Sequence, residues 1–338
     1  MIIQAPVINK AVDRAGRGIP VADPHSVEPD HLTGFSRDSA KAQPVVLEVR
    51  DIRKSFRSGF LKRRIRGVEG VSFSVNRGSV FALIGHNGAG KTTIINCILD
   101  LVHADGGEVS IMGMDHRDPA SRVEVGYLPE RPYFFEHLTG RELLQFYARL
   151  LGMPKNRRAS RIDEVLEMVG MTEFAGRRLK KFSKGMLQRM GLAQAILGEP
   201  KLLILDEPMS GLDPMGRREI RELLMKLKQA GTTIILSSHI VPDVEMIADT
   251  VGILKEGCLV AVQDLAEWNH DFSYTGELDL GDRRARVRGD GVADLRNLLN
   301  DCHRDAIPVL SLETRRTSLE ELFMEISGGA SVKREVVR

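Results

Sequence analysis

Nine residues, Gly85-His86-Asn87-Gly88-Ala89-Gly90-Lys91-Thr92-Thr93, constrain this chain more than any others. They fit the pattern G-x-x-x-x-G-K-[ST]. They also stand between two apolar runs, Val80-Phe81-Ala82-Leu83-Ile84 before and Ile94-Ile95-Asn96-Cys97-Ile98-Leu99 after, an order that reads as strand, glycine loop, helix. Gly85, Gly88 and Gly90 let the backbone curl so that successive N–H groups converge on a polyphosphate, whose charge the start of the following helix also favours. In such a loop Lys91 reaches the β- and γ-phosphates and Thr92 offers its hydroxyl to Mg²⁺. A chance match in a chain this long is on the order of 1 %, and the flanking strand and helix lower that further. A nucleoside triphosphate is the implied ligand.

The chain has 338 residues, which suggests one main domain of roughly 200 residues and a smaller one. Its 48 Lys and Arg against 46 Asp and Glu leave a formal net charge of +2. That balance argues against nucleic acid or an anionic membrane as a partner held by charge. The three cysteines, Cys97, Cys258 and Cys302, lie far apart, match no zinc spacing and cannot all pair. They read as reduced thiols of a cytosolic protein. No run approaches the ~20 apolar residues of a membrane span, and the N-terminus lacks the basic-then-apolar pattern of a signal peptide. A soluble chain is expected.

Residues 1–44 carry five prolines among Gly, Asp, Ser and Arg without a sustained period, and read as a disordered extension. From Val45 the pattern alternates, through Val45–Ile52 and Gly70–Val75, as antiparallel strands do. The basic stretch Phe60–Arg66 between them suits a solvated hairpin, or a face for lipid headgroups or an acidic partner. Gly107–Gly113 holds another short strand. Thr139 and Glu142 then form a capping box ahead of Leu143, Phe146, Tyr147, Leu150 and Leu151, spaced as one helix face. A second amphipathic helix presents Ile162, Val165, Leu166 and Val169 and stops at Gly170. Leu202–Leu205 and Thr233–Leu236 are short apolar runs of the kind buried in parallel sheets. The fold class is therefore α/β with a mostly parallel sheet. Beyond about residue 270, Arg284–Arg288 alternates, Leu295, Leu298 and Leu299 recur at helical spacing, and Ser318 with Glu321 caps a last helix bearing Leu319, Leu322, Phe323 and Ile326.

Asp206 and Glu207 follow Leu202–Leu205 directly, so both carboxylates emerge at the sheet edge that also carries the phosphate loop. Asp206 suits Mg²⁺ or its waters, and Glu207 suits polarising an attacking water. His239 ends the next apolar strand, in Leu236-Ser237-Ser238-His239, and projects from the same edge towards a γ-phosphate.

Over roughly residues 46–265 these features resemble the ATP-binding subunits of ABC transporters. Phe56 falls where that family has an aromatic that stacks on adenine, and residues 85–93 are the phosphate loop. Gly126-Tyr127-Leu128-Pro129-Glu130 resembles the loop that senses Mg²⁺ and couples to the membrane subunit, with Glu130 where glutamine is usual. Phe182-Ser183-Lys184-Gly185-Met186 resembles the signature motif, with Lys184 and Met186 departing from it and Ser183 and Gly185 retained. Ser210–Asp213 resembles the loop after the acidic strand, and His239 the switch histidine. These departures resemble the ABC-2-type export branch.

The resemblance implies a P-loop NTPase core with a mostly parallel sheet, an antiparallel β subdomain, an inserted helical subdomain and a small α+β C-terminal domain. The expected boundaries are an extension over 1–44, an ATPase domain over 45–268 with its helical part at about 116–185, an accessory or dimerisation domain over 269–330, and a tail over 331–338. It implies ATP and Mg²⁺ as cofactors, with Thr92, Glu130 and Asp206 towards the metal and Glu207 and His239 as catalytic groups. Ser183 and Gly185 would meet the γ-phosphate held by a second copy, so a homodimer is expected. The implied partner is an integral membrane permease, reached through Glu130–Phe135, with the chain at the cytoplasmic face of the cell membrane and no nucleic acid bound. The Tyr133-Phe134-Phe135 cluster suits either docking or core packing. The rival class is an ABC-type ATPase acting on a ribosome or DNA; such proteins usually fuse two ATPase units or insert long coiled coils, and this sequence has neither.

Overall fold

The computed structural model describes residues 2–4, 44–58, 63–268, 272–281, 284–316 and 318–328. Its first strand, β1 (Ile2–Gln4), lies in the segment expected to be disordered and pairs with a strand from late in the chain. The rest of the N-terminal extension, the tip of the basic insert at 59–62 and the tail at 331–338 lie outside the described residues.

The alternating runs become a long antiparallel pair, β2 (Val45–Ser58) and β3 (Arg63–Asn76). Val71, Phe73 and Val75 are buried, while Ser72, Ser74 and Asn76 between them are exposed, the period-two pattern of a half-covered sheet. β4 (Val80–Ile84) is buried at every position and leads through the glycine loop into α1 (Lys91–Ile98). β5 (Gly106–Ile111) and β6 (Met114–Asp115) complete an antiparallel sheet in the order β3-β2-β5-β6.

β7 (Val125–Leu128) follows, then the helices α2 (Gly140–Leu150), α3 (Lys155–Met168) and α4 (Lys184–Ile196). β7 corrects the expected limits of the helical part: it is a strand of the central sheet, parallel to β8 (Leu202–Leu205). The inserted helices therefore begin after it. The capping box at the start of α2 forms as expected, yet the buried face is not the expected one. Gly140, Leu143, Leu144 and Ala148 turn inward, and Phe146, Leu150 and Leu151 stay exposed. A small residue lets the helix approach its neighbours closely, whereas the spacing of large apolar residues alone marks the outward stripe equally well.

α5 (Pro214–Gln229), β9 (Thr233–Ser238), α6 (Val241–Glu245), β10 (Thr250–Lys255), β11 (Cys258–Asp264) and α7 (Leu265–Trp268) finish this part of the chain. The central sheet runs β11-β10-β4-β9-β8-β7, parallel throughout except for the β10–β11 pair. β4 sits between β9 and β10, so connections leave it to opposite sides. Such a switch point opens a crevice at the strands' C-terminal ends, and the phosphate loop starts there.

A second, smaller unit holds β1, β12 (Phe272–Asp279), β13 (Arg284–Asp290), α8 (Val292–Arg304) and β14 (Val309–Arg316). Its sheet runs β1-β13-β12-β14 around a core of Tyr274, Leu278, Val287, Leu298 and Cys302. The helix α9 (Leu319–Gly328) groups with the larger unit that carries the glycine loop and not with this small unit, contrary to the expected 269–330 domain. Its buried Leu319 and Phe323 supply the reason, because an apolar helix face goes where it finds cover.

Candidate active site

One cleft of about 690 Å³ brings together Phe56, Asn87, Gly88, Ala89, Gly90, Lys91, Thr92, Thr93, Glu130, Glu207 and His239. Gly85 is buried beneath the loop, and His86 faces outward. Ser183 and Gly185 do not line the cleft of their own chain, whereas Lys184 and Ser210, neither singled out for the site from sequence, do.

The loop shows why glycine is required at its end. Gly90 has φ 107°, and a Cβ there would stand 2.8 Å from the carbonyl oxygen of Gly67. Gly90 also begins α1, whose first turn no side chain among the described residues caps. The free N–H groups of that turn are thus left for an anion.

Lys91 is buried, and its Nζ lies 2.7 Å from the carbonyl of Gly85 and 3.2 Å from Glu207 Oε1. The other Glu207 oxygen, Oε2, stands 2.8 Å from His239 Nδ1. One carboxylate, at the end of β8, therefore joins the lysine of the loop to the histidine at the end of β9, the strand between. Glu207 holds φ 49°, a left-handed conformation uncommon for a residue other than glycine and enriched at functional sites. Its backbone N–H donates to Ser237 Oγ at 2.9 Å, and that hydroxyl donates to Asp206 Oδ1 at 2.5 Å. Ser237, on β9, so fixes both carboxylates at the end of β8. Gln188 of α4 donates to the Glu207 carbonyl at 3.4 Å.

Burial pushes the Asp206 carboxyl above its ordinary pKa, against hydrogen bonds from Ser237 and Thr92 that favour its ionised form. Asp206 Oδ2 is buried with no hydrogen-bond partner. An orphaned carboxylate oxygen beside a threonine hydroxyl is the donor set of a hard divalent cation, so these residues fit Mg²⁺. Glu130, half exposed at 49 % and 4.0 Å from Arg131 Nε, stands on the same cleft wall.

Ser183 begins α4 as its N-cap, its Oγ accepting from Met186 N–H at 3.3 Å. Tyr133, 86 % exposed, and Phe135, 58 % exposed, settle the aromatic cluster as surface. Phe135 meets Phe146 of α2 edge to face at 6.1 Å. The outward stripe of α2 thus continues into an exposed aromatic patch. Sequence reasoning passed over Ser237 because a serine at a strand end carries no distinctive pattern.

A glycine loop opening a helix, a lysine bridged to a carboxylate, and an Asp-Glu pair at the end of the next strand but one define a P-loop nucleoside triphosphatase. A family model described as ABC transporter matches residues 68–210. An uncharacterized ABC transporter ATP-binding protein of Nostoc sp. is 42 % identical over 232 residues, 68 % of this chain and 69 % of that protein. The bacitracin transport ATP-binding protein BcrA of Bacillus licheniformis is 33 % identical over 79 % of this chain and 94 % of its own. Among solved structures, an ATP-binding subunit of an ABC transporter matches with a TM-score of 0.59 and 34 % identity, over 66 % of this chain and 92 % of that one. The chain belongs to the ABC transporter ATP-binding proteins and is an ATPase subunit. The rival reading, an ATPase for ribosome or DNA, is not favoured by these relatives.

Proposed function

We propose that the chain hydrolyses Mg²⁺-bound ATP as a homodimer and powers export through a separately encoded permease at the cytoplasmic membrane face. The observation that carries the reading is the linked set Lys91–Glu207–His239 at the mouth of a phosphate loop. Lys91 is held by Glu207. A triphosphate supplies a stronger anion, so the lysine turns to it and the carboxylate is released to accept a proton from water. His239 then has its Nδ1 partner loosened and can address the γ-phosphate. Thr92 and Asp206, with Glu130 nearby, would hold Mg²⁺, whose charge offsets that developing on the transferred phosphoryl group. Phe56, 40 % exposed on β2, offers a ring face to adenine.

Ser183 and Gly185 lie off their own chain's cleft, which supports their use by a second copy. A helix N-terminus bearing a serine hydroxyl is a ready phosphate donor site. The Gln188 contact to Glu207 would carry such a contact back to the hydrolytic carboxylate. Export is supported by the likeness to the bacitracin transport protein and by the departures at Glu130 and Lys184. No helix among the described residues is long and apolar enough to cross a membrane.

The exposed Tyr133–Phe135–Phe146 patch is the proposed docking surface. Affinity capture from detergent-solubilised membranes of the source cell should recover an integral membrane protein, and Phe135→Ser should lose it while ATP turnover persists. Capture of ribosomes, or a membrane protein retained by Phe135→Ser, would contradict the proposal.

A further inference from the structure

The phosphate loop is touched by α9, the last helix among the described residues. The ring of Phe323, 6 % exposed, lies 4.9 Å from the imidazole of His86, centroid to centroid, with the planes tilted by 49°. Phe323 is held firmly. Leu319, one turn earlier, is fully buried, and Ser318 and Glu321 close a capping box, with Glu321 N–H donating to Ser318 Oγ at 3.1 Å and Ser318 N–H donating to Glu321 Oε2 at 3.3 Å. α9 also packs against α6, the short helix that starts two residues after His239. One helix therefore rests on both the loop that takes phosphate and the segment that follows the switch histidine.

His86 is not a neutral attachment point. Its carbonyl accepts from Ala89 N–H at 3.0 Å, the bond that closes the turn at the loop tip, and from Lys91 Nζ at 3.4 Å. A shift of His86 moves the turn that aims the loop's N–H groups and one of the carbonyls that store Lys91. Gly88, at the tip, faces open space, since a Cβ there would find nothing within 4 Å. Aromatic packing on His86 thus acts on the residue whose carbonyl closes that turn. A phenylalanine serving only to fill the core would cover aliphatic neighbours, whereas this one covers an exposed side chain of the binding loop.

We infer that Phe323 is a positioning residue for ATP binding: through His86 it holds the phosphate loop in its cradle form, and nucleotide occupancy and α9 docking reinforce each other. The inference rests on ATP being this loop's ligand. Reciprocity follows from linkage, so the factor by which α9 docking improves ATP affinity is the factor by which ATP strengthens that docking.

Two measurements on the full chain test it. Titration calorimetry with Mg²⁺ and ATP should show Phe323→Ala binding about three- to tenfold more weakly, the scale of one aromatic pair, with Phe323→Tyr within about twofold of the natural chain. His86→Ala should lose the same factor, and the double variant should lose no more than either alone. Hydrogen exchange on the unmutated protein should show the amides of residues 319–326 slowed by ATP, and unchanged by ATP in Lys91→Ala. If the natural chain binds ATP while α9 exchange ignores it, or if the two single losses add, the inference is overturned. If the natural chain binds no ATP, the reading of the loop itself fails.

Discussion

Replacing Glu207 by glutamine keeps the shape of the side chain and removes its charge and its basicity. The carboxylate has two partners, Lys91 Nζ at 3.2 Å and His239 Nδ1 at 2.8 Å, and it is largely buried. Lys91 keeps the carbonyls of Gly85 and His86 after the change, so its ammonium is under-compensated and not abandoned. The loss should be below the ~3–5 kcal/mol of breaking a fully buried pair, and about 1–2 kcal/mol is reasonable here. In a domain of this size that lowers the melting temperature by roughly 2–8 °C. Phosphate restores the missing charge on Lys91, and the same free energy reappears as tighter ATP binding, about tenfold for 1.4 kcal/mol. Turnover moves the other way, because losing a positioned general base costs typically 10²–10⁴-fold. Phosphate release, ATP titration and thermal melting on one preparation read all three. Lower stability, tighter ATP and turnover down by about 100-fold or more together support the role. Undiminished hydrolysis, or ATP affinity that falls with it, would refute the reasoning.

Asp206→Asn should abolish hydrolysis yet raise the melting temperature measured without nucleotide near neutral pH. The sign follows from burial: the folded carboxyl titrates above its ordinary 3.8, so the folded state binds the proton more tightly. Stability is then lost as pH rises from that value through the folded one. The gain from the amide should accordingly vanish in acid below about pH 4. A melting temperature that falls on substitution, or a gain independent of pH, would count against an orphaned carboxylate there.

Much of the site was legible because each part obeys a local rule. The phosphate loop declares itself through glycine spacing, the carboxylates through their place after an apolar strand, and both capping boxes through a Ser/Thr–Glu interval of three. What escaped depended on tertiary choice. β7 reads weakly in sequence because Val125-Gly126-Tyr127-Leu128 is short, and its glycine serves close approach: a Cβ there would meet the Ala195 carbonyl at 2.2 Å. The α2 face was misread because exposed Phe146 and Leu150 carry the apolar signal, while Gly140 and Ala148 line the buried side. α9 follows the small unit in sequence, yet it groups with the larger unit. Periodicity reports that a face will be covered and is silent about what covers it.

The central claim is that two copies close on ATP, each completing the other's site. Sedimentation equilibrium of Glu207→Gln with Mg²⁺ and ATP tests it most directly, with bound nucleotide counted in the same sample. The account predicts a mass that doubles on adding ATP, two nucleotides per dimer, and a return to monomer when Ser183→Ala and a bulkier residue at Gly185 are introduced together. A chain fully loaded with ATP that remains monomeric at every concentration tested would contradict it.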